Sequence, residues 1–196
     1  MDKVNRVVSS EDEELILVDE DDREQGYLSK AACHDGEGVL HRAFSAFLFN
    51  AAGELLLQQR ADTKRLWPAY WSNSCCSHPR RGESMSTATG RRLGEELNLA
   101  AELRFVYKFR YQASYADLGA ENELCHVFLG RIGEDVQPNA QEISAIRFVS
   151  ADTLDRELAE SPERFTPWFK LEWDALRQEH AGLLDAYTRA ENLRQQ

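Results

Sequence analysis

Nine consecutive residues alternate without a break. In LRFVYKFRY, 103–111, Leu103, Phe105, Tyr107, Phe109 and Tyr111 fall on one side, with Arg104, Lys108 and Arg110 opposite. Successive side chains of a strand point to opposite faces, so the pattern predicts a half-buried strand with all five apolar residues facing inward. ELCHVFLGRI (123–132), AIRFVS (145–150) and LILV (15–18) read as further strands. HRAFSAFLFN and LLLQQR, joined at Ala51–Glu54, read as a hairpin around Gly53. Helices are fewer. Ser84 or Ser86 can cap one running to about Leu97, ADTLDRELAE forms a second, and Thr166-Pro167 opens a long one toward Glu191. Strands and helices do not alternate regularly enough for a doubly wound sheet. The expected class is α/β (α+β), a mixed sheet flanked by helices with a long C-terminal helix, as one domain over 1–196.

Charge is unevenly spread. The chain carries a formal −11, which disfavours nucleic acid and anionic membrane as partners. The first 26 residues hold EDEE and DEDD, expected to be solvated surface. Between residues 60 and 92, however, Arg60, Lys64, Arg65, Arg80, Arg81, Arg91 and Arg92 face only Asp62 and Glu83. A cationic island in an acidic chain suits an anionic small ligand, and the planar guanidinium fork suits phosphate. The most apolar stretch, AFSAFLFNAAGELLL, is interrupted by Ser45, Asn50 and Gly53, so no membrane span is expected. The cysteines Cys33, Cys75, Cys76 and Cys125 read as reduced thiols of a cytoplasmic protein.

Three of the five histidines, His34, His41 and His78, precede residue 79, and Glu121 and Glu123 lie two apart, on one face if the segment is a strand. Side-by-side carboxylates repel unless solvated or bridged by a cation. Together the five make a plausible His3Glu2 site for Mn2+, Mg2+ or Zn2+. His126, beside a buried strand, and His180, on a polar helix face at the surface, are read as without a functional role. A rival, a structural zinc site from Cys33, His34, Cys75, Cys76 and His78, lacks any CxxC spacing.

From Ser77 the chain reads S-x5-Glu83-x7-Arg91-Arg92-Leu93-Gly94-Glu95-Glu96-Leu97-Asn98-Leu99. This resembles a degenerate Nudix box, with Ser77 and Asn98 where the family has glycines and Arg92 where it has a carboxylate. Together with HRAFSAFLFN, QQRADTKRLWPAYWSNSCCSHPRRGES, KFRYQA, ENELCHVF and FTPWF, the chain resembles the type I isopentenyl diphosphate isomerases from about Lys30 to Phe169. The resemblance implies a catalytic thiol at Cys76, with Cys75 at a variable position. It implies an acid–base partner at Glu123 paired with Tyr111, and Trp168 over the reacting alkene with Trp67 nearby. It places metal ligands at His34, His41, His78, Glu121 and Glu123, and a second ion, Mg2+ on the diphosphate, at Glu96. Diphosphate-binding positions fall on Lys30, Arg60, Lys64 and Arg92. The implied partner is a small diphosphate, the implied state a monomer. The alternatives are a Nudix hydrolase acting on a nucleoside or other diphosphate, and a metal-binding module without activity.

Overall fold

The computed structural model describes residues 5–190. Its centre is β3 (His41–Phe49), a strand buried on both faces. Ala43, Phe47 and Phe49 enter one core layer, and Phe44, Ala46 and Leu48 the other. A strand covered on both sides reads as a near-continuous apolar run, which is why HRAFSAFLF shows no alternation.

On one edge β3 pairs in parallel with β8 (Ala120–Arg131), from His41↔Glu123 to Phe49↔Arg131. β8 in turn pairs antiparallel with β7 (Leu103–Ser114). The other edge of β3 is shared. Leu17 of β1 (Glu14–Val18) sits opposite His41, β6 (Cys75–Ser77) lies opposite Phe44–Ala46, and β4 (Leu55–Arg60) meets it only at Phe49↔Leu55. The expected hairpin is therefore closed only at its tip. β4 diverges to pair with β5 (Trp71–Ser72) and β9 (Ile143–Val149), while β2 (Glu24–Ser29) completes the sheet beside β1.

Helices cover both faces. α2 (Met85–Leu97) begins at Ser84, whose Oγ accepts from Thr87 N at 3.1 Å, and buries Ala88, Leu93 and Leu97 against Phe44, Leu48 and Cys75. It ends at Asn98 with φ 52°, a left-handed cap that asparagine tolerates. The opposite face carries α3 (Ala151–Glu160), α4 (Pro167–Gln178) and α5 (Ala181–Thr188), through Leu154, Phe169, Trp173, Leu176 and Leu184. A four-residue α1 (Lys30–Cys33) follows β2. No helix among the described residues is long and apolar enough to cross a membrane.

Four expectations change. The single long helix from Pro167 is two, broken at Glu179–His180, and Glu191 lies outside the described residues. His180, read as a surface residue, caps α5 and stacks on Tyr107 with ring centroids 4.7 Å apart. The perfect alternation of 103–111 is interrupted, because Phe105 pairs with Phe128 and Tyr107 with Val127, leaving Val106 as a bulge. Tyr107, Phe109 and Tyr111 pack on the α4 side, whereas Phe105 is half exposed against Phe128 and His126. Nor are the acidic runs simply solvated. Glu13 accepts from Arg80 at 2.6 Å, and Asp22 binds Arg42 at 2.6 Å and lies 3.0 Å from His126.

The β7–β8 turn presses on the short helix. Ala120 N donates to His34 O at 3.0 Å, and a Cβ on Gly119, which has φ 142°, would stand 2.2 Å from that oxygen. Gly119→Ala is expected to destabilise the fold by about 2 kcal/mol or more, through the strained backbone region and the backbone clash. Chemical denaturation checks this; a midpoint shift worth less than ~0.5 kcal/mol would contradict it.

Candidate active site

Five side chains from four segments converge. His34 ends α1, His41 opens β3, His78 follows β6, and Glu121 and Glu123 share one face of β8. One potential ligand atom from each lies within 4.8 Å of all the others. The rings of His34, His41 and His78 are 4.8–5.3 Å apart. The cluster is nearly dry, with His41 fully buried and Glu121 and Glu123 each 7% exposed.

The donor set fits a cation. His34 Nδ1 lies 2.6 Å from Lys30 O, and His41 Nδ1 lies 2.7 Å from Val39 O. A carbonyl only accepts, so each Nδ1 carries a proton and each Nε2 faces the cluster, where it offers a lone pair to a cation whenever the ring is neutral. His34 Nε2 is 2.8 Å from Glu121 Oε2, and His78 Nε2 is 2.8 Å from Glu123 Oε1. His41 Nε2 is buried with no hydrogen-bond partner, 3.7 Å from Glu123 Oε1. Such crowding of lone pairs and carboxylates is costly without a shared proton or cation. Burial alone would lower His34, but the Glu121 carboxylate outweighs it and raises this histidine to about 9. Burial and the His41 and His34 rings push His78 well below the usual histidine range. No cysteine joins the group, and Cys75 is buried beneath α2, so the rival cysteine-rich site does not assemble among the described residues.

Next to the cluster is a cavity of about 90 Å3. Cys76, Tyr111, Trp168, Lys30, Arg60, Lys64 and Arg92 line it, together with His34, His78, Glu121 and Glu123. Cys75 and Cys76 are neighbours on one strand, so they face opposite ways. Cys75 enters the α2 core, fully buried, and Cys76 the cavity, half-buried. Burial, reinforced by Glu96 and Glu123 against Arg60, pushes the Cys76 thiol up to about 12, so it is protonated. Tyr111 Oη donates to Glu123 Oε2 at 2.6 Å. Burial would raise Glu123, but the His41 ring close by and the hydrogen bond from Tyr111 hold it below its ordinary value, so it is ionised. Tyr111, buried beside that carboxylate, sits well above the usual tyrosine range. The cavity thus carries a neutral thiol and an anionic carboxylate, one able to give a proton and the other to take one.

Trp67 is not a lining residue. Its ring meets Trp168 edge-on at 5.2 Å, and its carbonyl accepts from Arg60 Nε at 3.1 Å. Arg60 lies 5.3 Å over the Trp168 ring, so that π face already meets a cation. The other four lining cations are also engaged: Lys30 with Ser9 at 2.7 Å and Glu11 at 3.5 Å, Lys64 with Glu142, Arg65 with Asp35, and Arg92 with Glu96 at 2.5 Å and Glu142 at 3.3 Å. Ser9, Glu11 and Glu142 were not legible as site residues. Ser9 and Glu11 lie in the acidic leader, and Glu142 in a turn with no periodicity or motif. Arg91 grips Glu83 through Nε at 2.7 Å and Nη2 at 2.9 Å, bracing the loop before α2.

A NUDIX domain profile matches residues 39–169. The chain is 44% identical over 170 residues to "Isopentenyl-diphosphate Delta-isomerase 1" of Photorhabdus laumondii, covering 86% of this chain and 97% of that one. It is 46% identical over 158 residues to "Isopentenyl-diphosphate Delta-isomerase" of Burkholderia multivorans, covering 81% and 89%. The chain belongs to the isopentenyl-diphosphate Delta-isomerase family. Among solved structures, one from Deinococcus radiodurans superposes with TM-score 0.65 at 23% identity, covering 90% of this chain and all of the other. A NUDIX hydrolase from Nitrosomonas europaea gives 0.53 at 15%, covering 79% and 95%. At those identities the fold alone is shared. Within the isomerase family fold, the thiol, the carboxylate–phenol pair and the histidine cluster of this chain meet at one cavity.

The five cluster residues should behave as one metal site. His41→Ala and Glu121→Gln should each lower bound metal per chain; full occupancy of both variants by elemental analysis would remove them from the ligand set. His34 holds a proton below about pH 9 when no cation is bound, so uptake at neutral pH should release it. Calorimetric enthalpies that do not vary with buffer ionisation would contradict this.

Proposed function

We propose that the chain interconverts isopentenyl diphosphate and dimethylallyl diphosphate in the cytoplasm. The cofactors are Mg2+ on the diphosphate, met by Glu96, and Mn2+, Mg2+ or Zn2+ at His34, His41, His78, Glu121 and Glu123. The observation that carries this reading is the meeting of a protonated thiol, Cys76, with an ionised carboxylate, Glu123, in one cavity lined by Trp168 and five cationic side chains. Moving the double bond needs one proton delivered and another removed, through a tertiary carbocation. That requires an acid and a base facing the alkene, with water kept out.

Each residue then has a physical task. Cys76 and Glu123 exchange protons with the carbon chain, and Tyr111 orients the Glu123 carboxylate through its 2.6 Å bond. When bound, the cation of the histidine cluster neutralises the buried carboxylates and fixes their geometry. Trp168 offers π density to the developing cation, worth roughly 1–2 kcal/mol in a dry site. Lys30, Arg60, Lys64 and Arg92 hold the diphosphate, whose binding keeps a small featureless alkene in register. A hydrolase reading is less well supported, because Arg92 stands where the Nudix box has a carboxylate and is tied to Glu96.

Incubation of the protein and Mg2+ with isopentenyl diphosphate should yield dimethylallyl diphosphate by NMR, without phosphate release from nucleotides. Cys76→Ala should nearly abolish turnover, while Cys75→Ala, facing the α2 core, leaves most of it. Equal losses in the two variants would contradict the assignment.

The diphosphate does not change during the reaction, so its contacts act equally on ground and transition states. Lys64→Ala should therefore raise KM more than it lowers kcat, with a loss of ~10- to 150-fold in kcat/KM for a charged hydrogen bond of roughly 1.5–3 kcal/mol. Trp168→Ala should lower kcat with little change in KM. The reverse pattern in steady-state kinetics would rule out the carbocation role given to Trp168.

A further inference from the structure

Glu142 belongs to no motif, yet it is among the most firmly built carboxylates of the cavity region. It is 5% exposed. Its backbone N donates to Asn139 O at 3.0 Å, and its carbonyl accepts from Ala61 N at 3.0 Å, next to Arg60. Asn139, fully buried, donates from its backbone N to Glu96 O at 2.8 Å and from Nδ2 to Glu95 O at 3.3 Å. The turn is thereby fastened to the last turn of α2 on one side and to the end of β4 on the other. These bonds fix the backbone of Glu142, and the carboxylate itself is held by Lys64 and Arg92.

What it holds is unusual for a brace. Glu142 Oε2 accepts from both Lys64 and Arg92, the second at 3.3 Å, and Arg92 also donates to Glu96 at 2.5 Å. Two cations and two carboxylates form a largely buried quartet, and Arg92 also reaches Glu95 at 3.1 Å. Lys30, beyond it, has Glu11 at 3.5 Å. Of the five cations on the cavity wall, Lys30, Arg60, Lys64, Arg65 and Arg92, Arg60 alone makes no ion pair among the described residues; it donates to the carbonyls of Trp67 and Leu66. A bare diphosphate reaching Lys64 and Arg92 would meet Glu142 and Glu96 at the same time. In a poorly solvated site the repulsion opposes the attraction. A divalent ion carried on the diphosphate reverses the sign, because hard cations seek carboxylate and phosphate oxygens together.

We propose that Glu142 is a specificity-determining residue, an internal counter-anion that makes diphosphate binding at Lys64 and Arg92 conditional on a bound divalent cation. This rests on the reading of Lys64 and Arg92 as the diphosphate site. A purely structural Glu142 would affect folding and overall affinity. A charge gate instead changes the ratio of affinities with and without the cation.

Inorganic pyrophosphate is the probe, titrated by calorimetry into protein whose histidine-cluster metal content has been verified, with Mg2+ present or omitted. Wild type should bind at least ~10-fold more tightly with Mg2+, the effect of about one charge-assisted contact. In Glu142→Gln the Mg2+-free affinity should rise and that ratio should fall toward unity. Glu142→Asp, which keeps the charge, should keep the Mg2+ requirement even where packing lowers affinity. An unchanged ratio in Glu142→Gln, or an equal loss in Gln and Asp variants, overturns the proposal. So does a wild type indifferent to Mg2+, a result available even if Glu142→Gln does not fold. Lys64→Ala separates the two readings. If it binds Mg2+-pyrophosphate as wild type does, the diphosphate site itself is misplaced. If it binds weakly while the Glu142→Gln ratio is unchanged, only the gate fails.

Discussion

The site depends on the pairing of one strand with two neighbours. β3 runs parallel to β8 with His41 opposite Glu123, and antiparallel to β6 with Ser45 opposite Cys76. Those two registers bring a ligand of the histidine cluster, a carboxylate that belongs to both cluster and cavity, and a thiol onto one end of a buried sheet. Because β3 is apolar on both faces and packed between helix layers, neither register can slip without exposing a core residue. The chemistry sits on loops and strand ends, and the precision comes from the interior.

The electrostatics follow from that burial. In water, His34, His78, Glu121 and Glu123 would titrate independently and near neutrality only the histidines would change state. Packed within a few ångströms of one another they cannot, and the cluster calls for a positive ion where an apolar core would be the cheaper interior. The cations of the cavity wall are subject to the same rule. Except for Arg60, each has found a carboxylate in the chain itself, from the buried Arg92 to the exposed Arg65. A substrate anion therefore enters an exchange among existing ion pairs.

Much of this was legible in the sequence, for identifiable reasons. ENE on a strand must present both carboxylates to one face, and scarce histidines ahead of residue 79 left few other partners. A cap at Ser84 or Ser86 and an end at about Leu97 located α2; of the two serines the cap is Ser84, and at Asn98 asparagine adopts the left-handed turn in place of glycine. Ser77, in place of the other glycine, lies in extended β6, where no special backbone is required. What was hidden depends on three-dimensional neighbours. The Val106 bulge leaves one weak mark, an apolar residue among the charged positions of the opposite face, which does not by itself disclose a register shift. The helix break at Glu179–His180 occurs in QEHAG, without proline, where His180 stacks on Tyr107. Glu142, Ser9 and Glu11 reach the cavity region only through turns and a leader whose course no periodicity predicts.

The twin cysteines show how little of the chemistry resides in residue type. Cys75 and Cys76 are the same side chain on adjacent rungs, one sealed under α2 and one open to the cavity. Neither is a spare for the other. A deletion or insertion of one residue in β6 would exchange their surroundings, presenting the wrong sulfur to the cavity while carrying His78 out of step with His34 and His41. Parity along a three-residue strand, odd or even, is what separates a working thiol from an inert one.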